Sequence, residues 1–417
     1  MKTTGVRLHG ANDLRLDQFE LPELQDNELL MKVVSDSVCF STYKAVLQGE
    51  KHKRVPPDIK EHPIVVGHEM CGEIAGVGSA LQDQWQEGQR VVIQPALYLP
   101  DSAYSVGYSF PYFGGSMTYG IIPNLVIERG CVLPYTGSFF KGSLAEPICC
   151  ILRAFKSQFH IHTTTYEFIP GLKEGGKVAI MGGAGPMGLG ALDIALHCYN
   201  PSLVVVTDLD AQRLERAARI FTVEDAKQRG IELVYINVSE IADQESYLRE
   251  VSGGGFDDIF VMVPSREVVE MADALAAKDC CINFFAGPAD RNFQASINLY
   301  RLHYDTVHMI GTSGGSLDDL RESLKLIEEG TLNPASMVSH ICGLDHAVEA
   351  VMDVATPGRM KTLCYADIKL PVTAISDFGE LGRENELFRG LAQIVEANNG
   401  LLCDEAEEYL LQHGERI

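Results

Sequence analysis

Positive charge is scarce in this sequence. Its 417 residues carry 34 Lys and Arg against 57 Asp and Glu, a formal net charge of −23. That excludes a general nucleic-acid or anionic-membrane binder, because both require net positive surface. A small anionic ligand remains compatible, since it needs only a local cluster of cations. Long apolar runs are also missing: no stretch of about 18 residues is apolar enough to form a transmembrane helix, so no membrane partner is expected. The opening MKTTGVRLHGANDLRL has neither the apolar core nor the small-residue cleavage site of an export signal. The eleven cysteines are scattered, and without such a signal they read as reduced thiols or metal ligands rather than a disulfide framework. The expected compartment is the cytoplasm. With 46% hydrophobic and 22% charged residues, the composition is that of a globular protein of two or three domains.

The chain has two textures. Up to about residue 150, short apolar stretches such as LLMKVVSDSV, IVVGHEM and RVVIQPAL alternate with Gly, Pro and Asp, which predicts a β-rich region. Beyond it, strands at KVAIMG, LVVVTD, ELVYINV, FDDIFVMV, CINFFAG and HMIGTSG alternate with helical segments. That alternation predicts a parallel, doubly wound α/β sheet. Residues 376–417 read as an acidic pair of surface helices, with ten acidic and three basic residues over 377–417.

Gly183, Gly185 and Gly188 form G-x-G-x-x-G between the strand KVAIMG and the helix MGLGALDIALHC, with Pro186 and Met187 between the last two glycines. The first glycine is expected to permit a tight turn, the second to admit a pyrophosphate, and the third to let helix and strand pack closely. The helix N-terminus then offers unpaired N–H groups to the phosphates. Asp208 ends the next strand, twenty residues beyond Gly188. A carboxylate there accepts hydrogen bonds from ribose hydroxyls and repels a 2′-phosphate, favouring NAD(H) over NADP(H). Arg213 and Arg216 follow in the next helix and could serve a 2′-phosphate instead.

A second constellation lies in the β-rich region: Cys39, His68, Glu69 and, further on, Glu146. A thiolate, an imidazole and a carboxylate suit a zinc site with an open position. Taken singly, each has a plainer reading: a small core residue, a satisfied buried histidine, a first-turn helix carboxylate.

The motif GHE-x-x-G-x-x-x-x-x-G, at Gly67, His68, Glu69, Gly72 and Gly78, resembles the signature of the zinc-containing medium-chain alcohol and polyol dehydrogenases. Cys39, the Glu146–Pro147 pair and the later glycine fingerprint follow in that family's order over essentially the whole chain. The resemblance implies a GroES-like catalytic domain over 1–155, a Rossmann dinucleotide-binding domain over 156–312, and a return to the catalytic domain over 313–417 with the acidic tail. It implies a catalytic zinc held by Cys39, His68 and Glu69, with Glu146 as a fourth or alternating ligand. It also implies a homodimer or homotetramer. Two features depart from the pattern. The stretch 94–115, where many members carry four cysteines for a structural zinc, has none, so no structural zinc is expected. Ser41 keeps the first position of the family's proton relay, but Lys44 stands where histidine is usual. Proton transfer is therefore assigned to Ser41, Lys44 and Glu146 as candidates.

Local similarity in GYSFPYFGG, GGGFDDIFVMVP, INFFAGP and HYDTVHMIGTSGGS points to family members that reduce ketose phosphates to polyol phosphates. The implied reaction is L-sorbose 1-phosphate to D-glucitol 6-phosphate, with an unphosphorylated polyol as the alternative substrate. A sugar phosphate needs local cations. Candidates are the run Lys51–Arg54, the pair Arg301 and His303, and the pair Arg359 and Lys361; Tyr112 and Phe113 are candidate cleft residues. Two other readings compete: a short-chain dehydrogenase using Tyr365 and Lys369, and a zinc-free binding protein of the same fold.

Overall fold

The computed structural model describes residues 1–417, which divide into two compact units. One joins Met1–Glu146 with Val338–Ile417; the other is Pro147–Met337. No helix is long and apolar enough to cross a membrane.

The first unit is built on an eight-stranded sheet. Its central strand, Leu29–Ser37, is almost continuously buried and pairs antiparallel with Met70–Val77, Tyr119–Ile122 and Lys361–Tyr365. The register sets Asp36 opposite Met70 and Ser37 opposite Leu363. One end of this sheet therefore gathers the chain leading to Cys39, the residue preceding Met70, and the first residue of Lys361–Tyr365. The C-terminal segment belongs here because its strand completes the sheet beside Leu29–Ser37. The acidic tail packs as helices Glu386–Ala397 and Asp404–His413, burying Phe388, Leu391, Val395, Ala406 and Leu410.

One tail residue makes a polar anchor. Glu407 is buried, and its two carboxylate oxygens accept the backbone N–H groups of Phe139 and Phe140, each at 2.7 Å. Burial pushes this carboxyl up to about 7, although the two N–H donors and Tyr365 favour the charged form. A raised folded-state value means the folded protein holds this proton where the unfolded chain releases it. Stability from this group is thus fullest below the ordinary carboxylate range and falls as pH rises towards 7. Glu407→Gln should remove up to about 3 kcal/mol of that pH dependence between pH 4.5 and 7. Thermal melts across this range check it; parallel pH profiles for both proteins would refute the assignment.

The second unit contains a six-stranded parallel sheet. Numbered along the chain within this sheet, the strands lie in the order 3-2-1-4-5-6, the doubly wound dinucleotide-binding arrangement. The first strand, Lys177–Met181, feeds the helix Pro186–His197, which is buried along most of its length. The chain passes between units at 146/147 and 337/338, whereas the sequence placed those boundaries at 155/156 and 312/313. Packing explains the difference. Lys156 Nζ reaches Asp319 at 2.8 Å, and a side chain at Gly315 would collide with Cys149. The helices Ala145–Ser157 and Leu317–Glu328 therefore support the parallel-sheet unit.

Candidate active site

The metal constellation assembles where three strand ends meet. Cys39 caps the helix Phe40–Gln48, just beyond Leu29–Ser37. His68 and Glu69 immediately precede Met70–Val77. One potential ligand atom from each of Cys39, His68 and Glu69 lies within 4.8 Å of the other two. Glu146, half-buried in the first turn of Ala145–Ser157, stands outside this trio, yet its charge bears on Cys39, Tyr108 and Lys361. The loop before His68 needs glycine: Gly67 has φ +92°, and a Cβ there would run into Asp36 and Ser116. Asp36 is buried and accepts hydrogen bonds from Ser116 Oγ at 2.8 Å and Glu69 N at 3.2 Å. It latches the ligand loop to the central strand, and burial raises its carboxyl well above the ordinary range.

The electrostatics suit a cation. Burial pushes His68 down to about 4, leaving a neutral imidazole able to donate a lone pair. Burial and then the charge of Glu69 push the Cys39 thiol up to about 12, so an extra positive charge is needed to hold a thiolate. Burial alone would raise Glu69, but Lys361 overrides it and holds the carboxyl below its usual range. The Lys361 ammonium lies 2.5 Å from Glu69 Oε2, with the two side chains only 5% and 2% exposed. Lys361 is therefore committed to Glu69 and is not a free phosphate cation. Its sequence signal was weak, one lysine opening an apolar strand; only the sheet register exposes its role.

Ser41 Oγ donates to Cys39 Sγ at 3.0 Å and lies 3.3 Å from His68 Nε2. It also lies 2.7 Å from the Tyr108 hydroxyl, itself 3.3 Å from His68 Nε2. Tyr108 is fully buried, and burial raises its phenol strongly, keeping it protonated. This tyrosine belongs to the cysteine-free stretch 94–115 and was not picked out from sequence. Lys44 is half-buried, its amine 5.1 Å from the Phe40 ring centre.

Other sequence candidates are placed elsewhere. Phe113 is core, while Tyr112 is exposed. Arg301 donates to the backbone carbonyls of Asp273 and Ala274. Tyr365 is buried in the first unit beside Glu407, and Lys369 pairs on the surface with Glu415 at 2.8 Å. Those environments leave no short-chain-type catalytic pair.

In the second unit, Gly185 caps Pro186–His197, with Pro186 in the first turn and Met187 following it. The left-handed turn residue is Gly182, at φ +68°, rather than Gly183. Gly183 instead donates to Thr207 O at 2.9 Å, and a Cβ on Gly188 would strike its carbonyl. A Cβ on Gly185 would meet nothing within 4 Å, leaving the backbone open to a pyrophosphate. Asp208 ends the strand Leu203–Asp208 and accepts from Ala184 N at 3.1 Å, Leu209 N at 2.8 Å and Asp210 N at 3.1 Å. It thus ties the glycine loop to the neighbouring strand. The cap of the following helix is Asp210, whose carboxylate also lies 3.7 Å from Arg213 Nε. Arg216 donates to Ser336 O at 2.7 Å.

A buried mixed-ligand trio on a β-rich unit, and an open glycine loop on a doubly wound unit, define an oxidoreductase of CH–OH groups that uses zinc and a nicotinamide cofactor. Comparison with known proteins agrees. The family model for the alcohol dehydrogenase GroES-like domain matches residues 25–132, and that for zinc-binding dehydrogenase matches 186–329. The mannitol-1-phosphate 5-dehydrogenase of Aliivibrio fischeri is 45% identical, over 99% of this chain and 98% of its own length. The L-sorbose 1-phosphate reductase of Klebsiella pneumoniae is 42% identical, over 100% and 98%. The crystal structure of 2R,3R-butanediol dehydrogenase from Bacillus subtilis shares the fold, with a TM-score of 0.70 at 21% identity, covering 87% of this chain and 99% of that one. The chain belongs to the zinc-type medium-chain polyol dehydrogenase family.

Proposed function

We propose that this enzyme reduces a ketose phosphate to a polyol phosphate with NADH, converting L-sorbose 1-phosphate to D-glucitol 6-phosphate. The carrying observation is near end-to-end similarity, at 42% and 45% identity, to two relatives named for sugar-phosphate oxidation or reduction. Cys39, His68 and Glu69 would hold a single zinc, with Glu146, whose charge acts on Cys39, as a candidate fourth or alternating ligand. The trio fits that ion by its chemistry: one soft sulfur, one neutral imidazole and one carboxylate, with ligand atoms within 4.8 Å of one another. No structural zinc is proposed, because 94–115 carries no cysteine.

When bound, zinc would polarise the ketose carbonyl, and the nicotinamide would supply hydride to its carbon. Ser41 Oγ would deliver the proton to the nascent alkoxide, oriented by its 2.7 Å hydrogen bond with the Tyr108 hydroxyl, which stays protonated. Lys361 keeps Glu69 ionised and aimed. Lys44 and Glu146, close in charge to Cys39, are candidates for passing that proton onward. Overall, one ketose phosphate, one NADH and one proton give one polyol phosphate and NAD+. The test is a rate screen over ketoses and their 1-phosphates, with NADH and NADPH. Equal efficiency on free and phosphorylated sugars would sink the sugar-phosphate assignment and favour a free polyol.

The choice of NADH rests on Asp208 at the end of the second sheet strand, with Gly183, Gly185, Pro186, Met187 and Gly188 forming the phosphate loop and Arg213 flanking it. Asp208→Ala should weaken NADH binding at least about tenfold more than NADPH binding, the loss of a charged hydrogen bond to ribose. Fluorescence titration of both cofactors checks it; equal weakening would contradict the assignment. We also infer a homodimer or a homotetramer. The edge strand His308–Gly311 and the exposed Leu299, Tyr300, Leu302 and Tyr304 support an association face. Sedimentation of the native protein reads it directly.

A further inference from the structure

We propose that Arg54, Lys44 and His52 form the subsite that holds the substrate's phosphate, an inference that rests on the sugar-phosphate reading above.

Arg54 carries an unspent charge. Arg54 is half-buried, with its guanidinium 5.0 Å from the centre of the Tyr108 ring. That side chain has no carboxylate partner and makes no hydrogen bond. A half-buried guanidinium without an anion is conspicuous in a chain with 57 acidic residues against 34 basic ones. Its surroundings add to the positive field. His52 stacks on the same tyrosine, with ring centres 5.7 Å apart and planes 18° off parallel. Lys44, Lys53 and Arg54 all act electrostatically on His52, and no carboxylate is among the groups that do so. Burial, followed by those three cations, pushes His52 down to about 4 and keeps it neutral. Its Nδ1 accepts from Arg54 N at 3.4 Å, which leaves the Nε2 proton as a donor.

The cationic group also lies beside the metal-ligand trio. The Tyr108 hydroxyl lies 3.3 Å from His68 Nε2, so one aromatic side chain separates the Arg54 guanidinium from a metal-ligand candidate. The two segments are fastened together: Ser109 Oγ, next to that tyrosine, donates to Arg54 O at 2.6 Å. In a ketose 1-phosphate the ester is carried on the carbon beside the carbonyl. A carbonyl presented to the Cys39–His68–Glu69 trio therefore brings its phosphate within a side chain's reach. The phosphate carries about −1.5 to −2 charges near neutral pH and offers three acceptor oxygens. A planar guanidinium meets two of them with parallel hydrogen bonds, and the Lys44 ammonium adds a point charge. Two of the other basic candidates are already engaged: Lys361 is paired with Glu69, and Arg301 is bonded to backbone carbonyls.

The test compares wild type with Arg54→Met, which keeps an apolar stem over Tyr108, and with Arg54→Lys. Two quantities are read. One is the ratio of kcat/KM for the ketose 1-phosphate over the free ketose. The other is the competitive inhibition constant of inorganic phosphate. In Arg54→Met the ratio should fall at least about 30-fold, mainly through KM, and the inhibition constant should rise about tenfold or more. Arg54→Lys should recover part of both. Equal losses on the two sugars with unchanged phosphate inhibition would overturn the subsite and leave Arg54 a packing residue. Wild-type enzyme indifferent to the phosphate would instead refute the sugar-phosphate reading, and the inorganic-phosphate measurement would still decide the subsite.

Discussion

His68→Ala is expected to abolish both metal retention and turnover. His68 is the buried nitrogen donor of the trio, and its environment keeps it neutral and ready to ligate. Removing it leaves Cys39, a thiol that its surroundings push up to about 12, and Glu69, a single carboxylate shared with Lys361. Neither group compensates, because a thiol must lose its proton to bind metal. A metal acting as Lewis acid supplies several kcal/mol of transition-state stabilisation. Its loss should cost roughly 10³-fold or more in kcat/KM. Elemental analysis of dialysed protein, with turnover on the same sample, makes the measurement. Undiminished turnover in a variant verified to be metal-free would refute the proposed mechanism.

Lys361→Met should have the largest effect on stability. Glu69 and Lys361 form an ion pair in which both side chains are nearly inaccessible to water. Removing one partner of such a pair leaves an uncompensated buried charge, at a cost of about 3–5 kcal/mol. The pH dependence follows from both shifts. Lys361 holds Glu69 below its usual range, so that contribution is present above the ordinary carboxylate range and lost as pH falls through the lowered value. Glu69 holds Lys361 above its usual range, so that contribution is lost only as pH rises past the raised value. Wild type should therefore keep this stabilisation across neutral pH, where the variant lacks it. A zinc held by Glu69 as proposed would offer it a second positive partner, so the deficit should be larger in chelator-treated protein than in zinc-loaded protein. Denaturant unfolding in both states checks this; equal stability of wild type and variant after metal removal would refute the pairing's role.

Legibility from sequence differed sharply between the two halves of the chemistry. The glycine loop was readable because its residues are contiguous and each answers a local constraint. Even so, the left-handed turn fell on Gly182, one residue before the motif, since G-x-G-x-x-G does not say which neighbour reverses the chain. Cys39, His68 and Glu69 were recognisable through GHE-x-x-G and the order of their segments, although 29 positions separate Cys39 from His68. Asp36 and Tyr108 carried no such mark. An aspartate within an apolar strand and a tyrosine in a glycine-rich loop are common, and only burial against His68 and Glu69 gives them work.

What the sequence determined by itself was local: a glycine loop between strand and helix, a mixed-ligand motif of metal-binding residue types, an acidic helical tail and a net charge of −23. Tertiary structure decided which charges are spent and which are available. Lys361 and Arg54 read alike in the one-dimensional chain, as candidate cations for a phosphate. Antiparallel pairing of Lys361–Tyr365 with Leu29–Ser37 brings the first against Glu69, 292 positions away. The loop that carries Tyr108 leaves the second facing no acid. The reason is physical: charge compensation depends on distances of a few ångströms across the sheet, and sequence separation does not encode them.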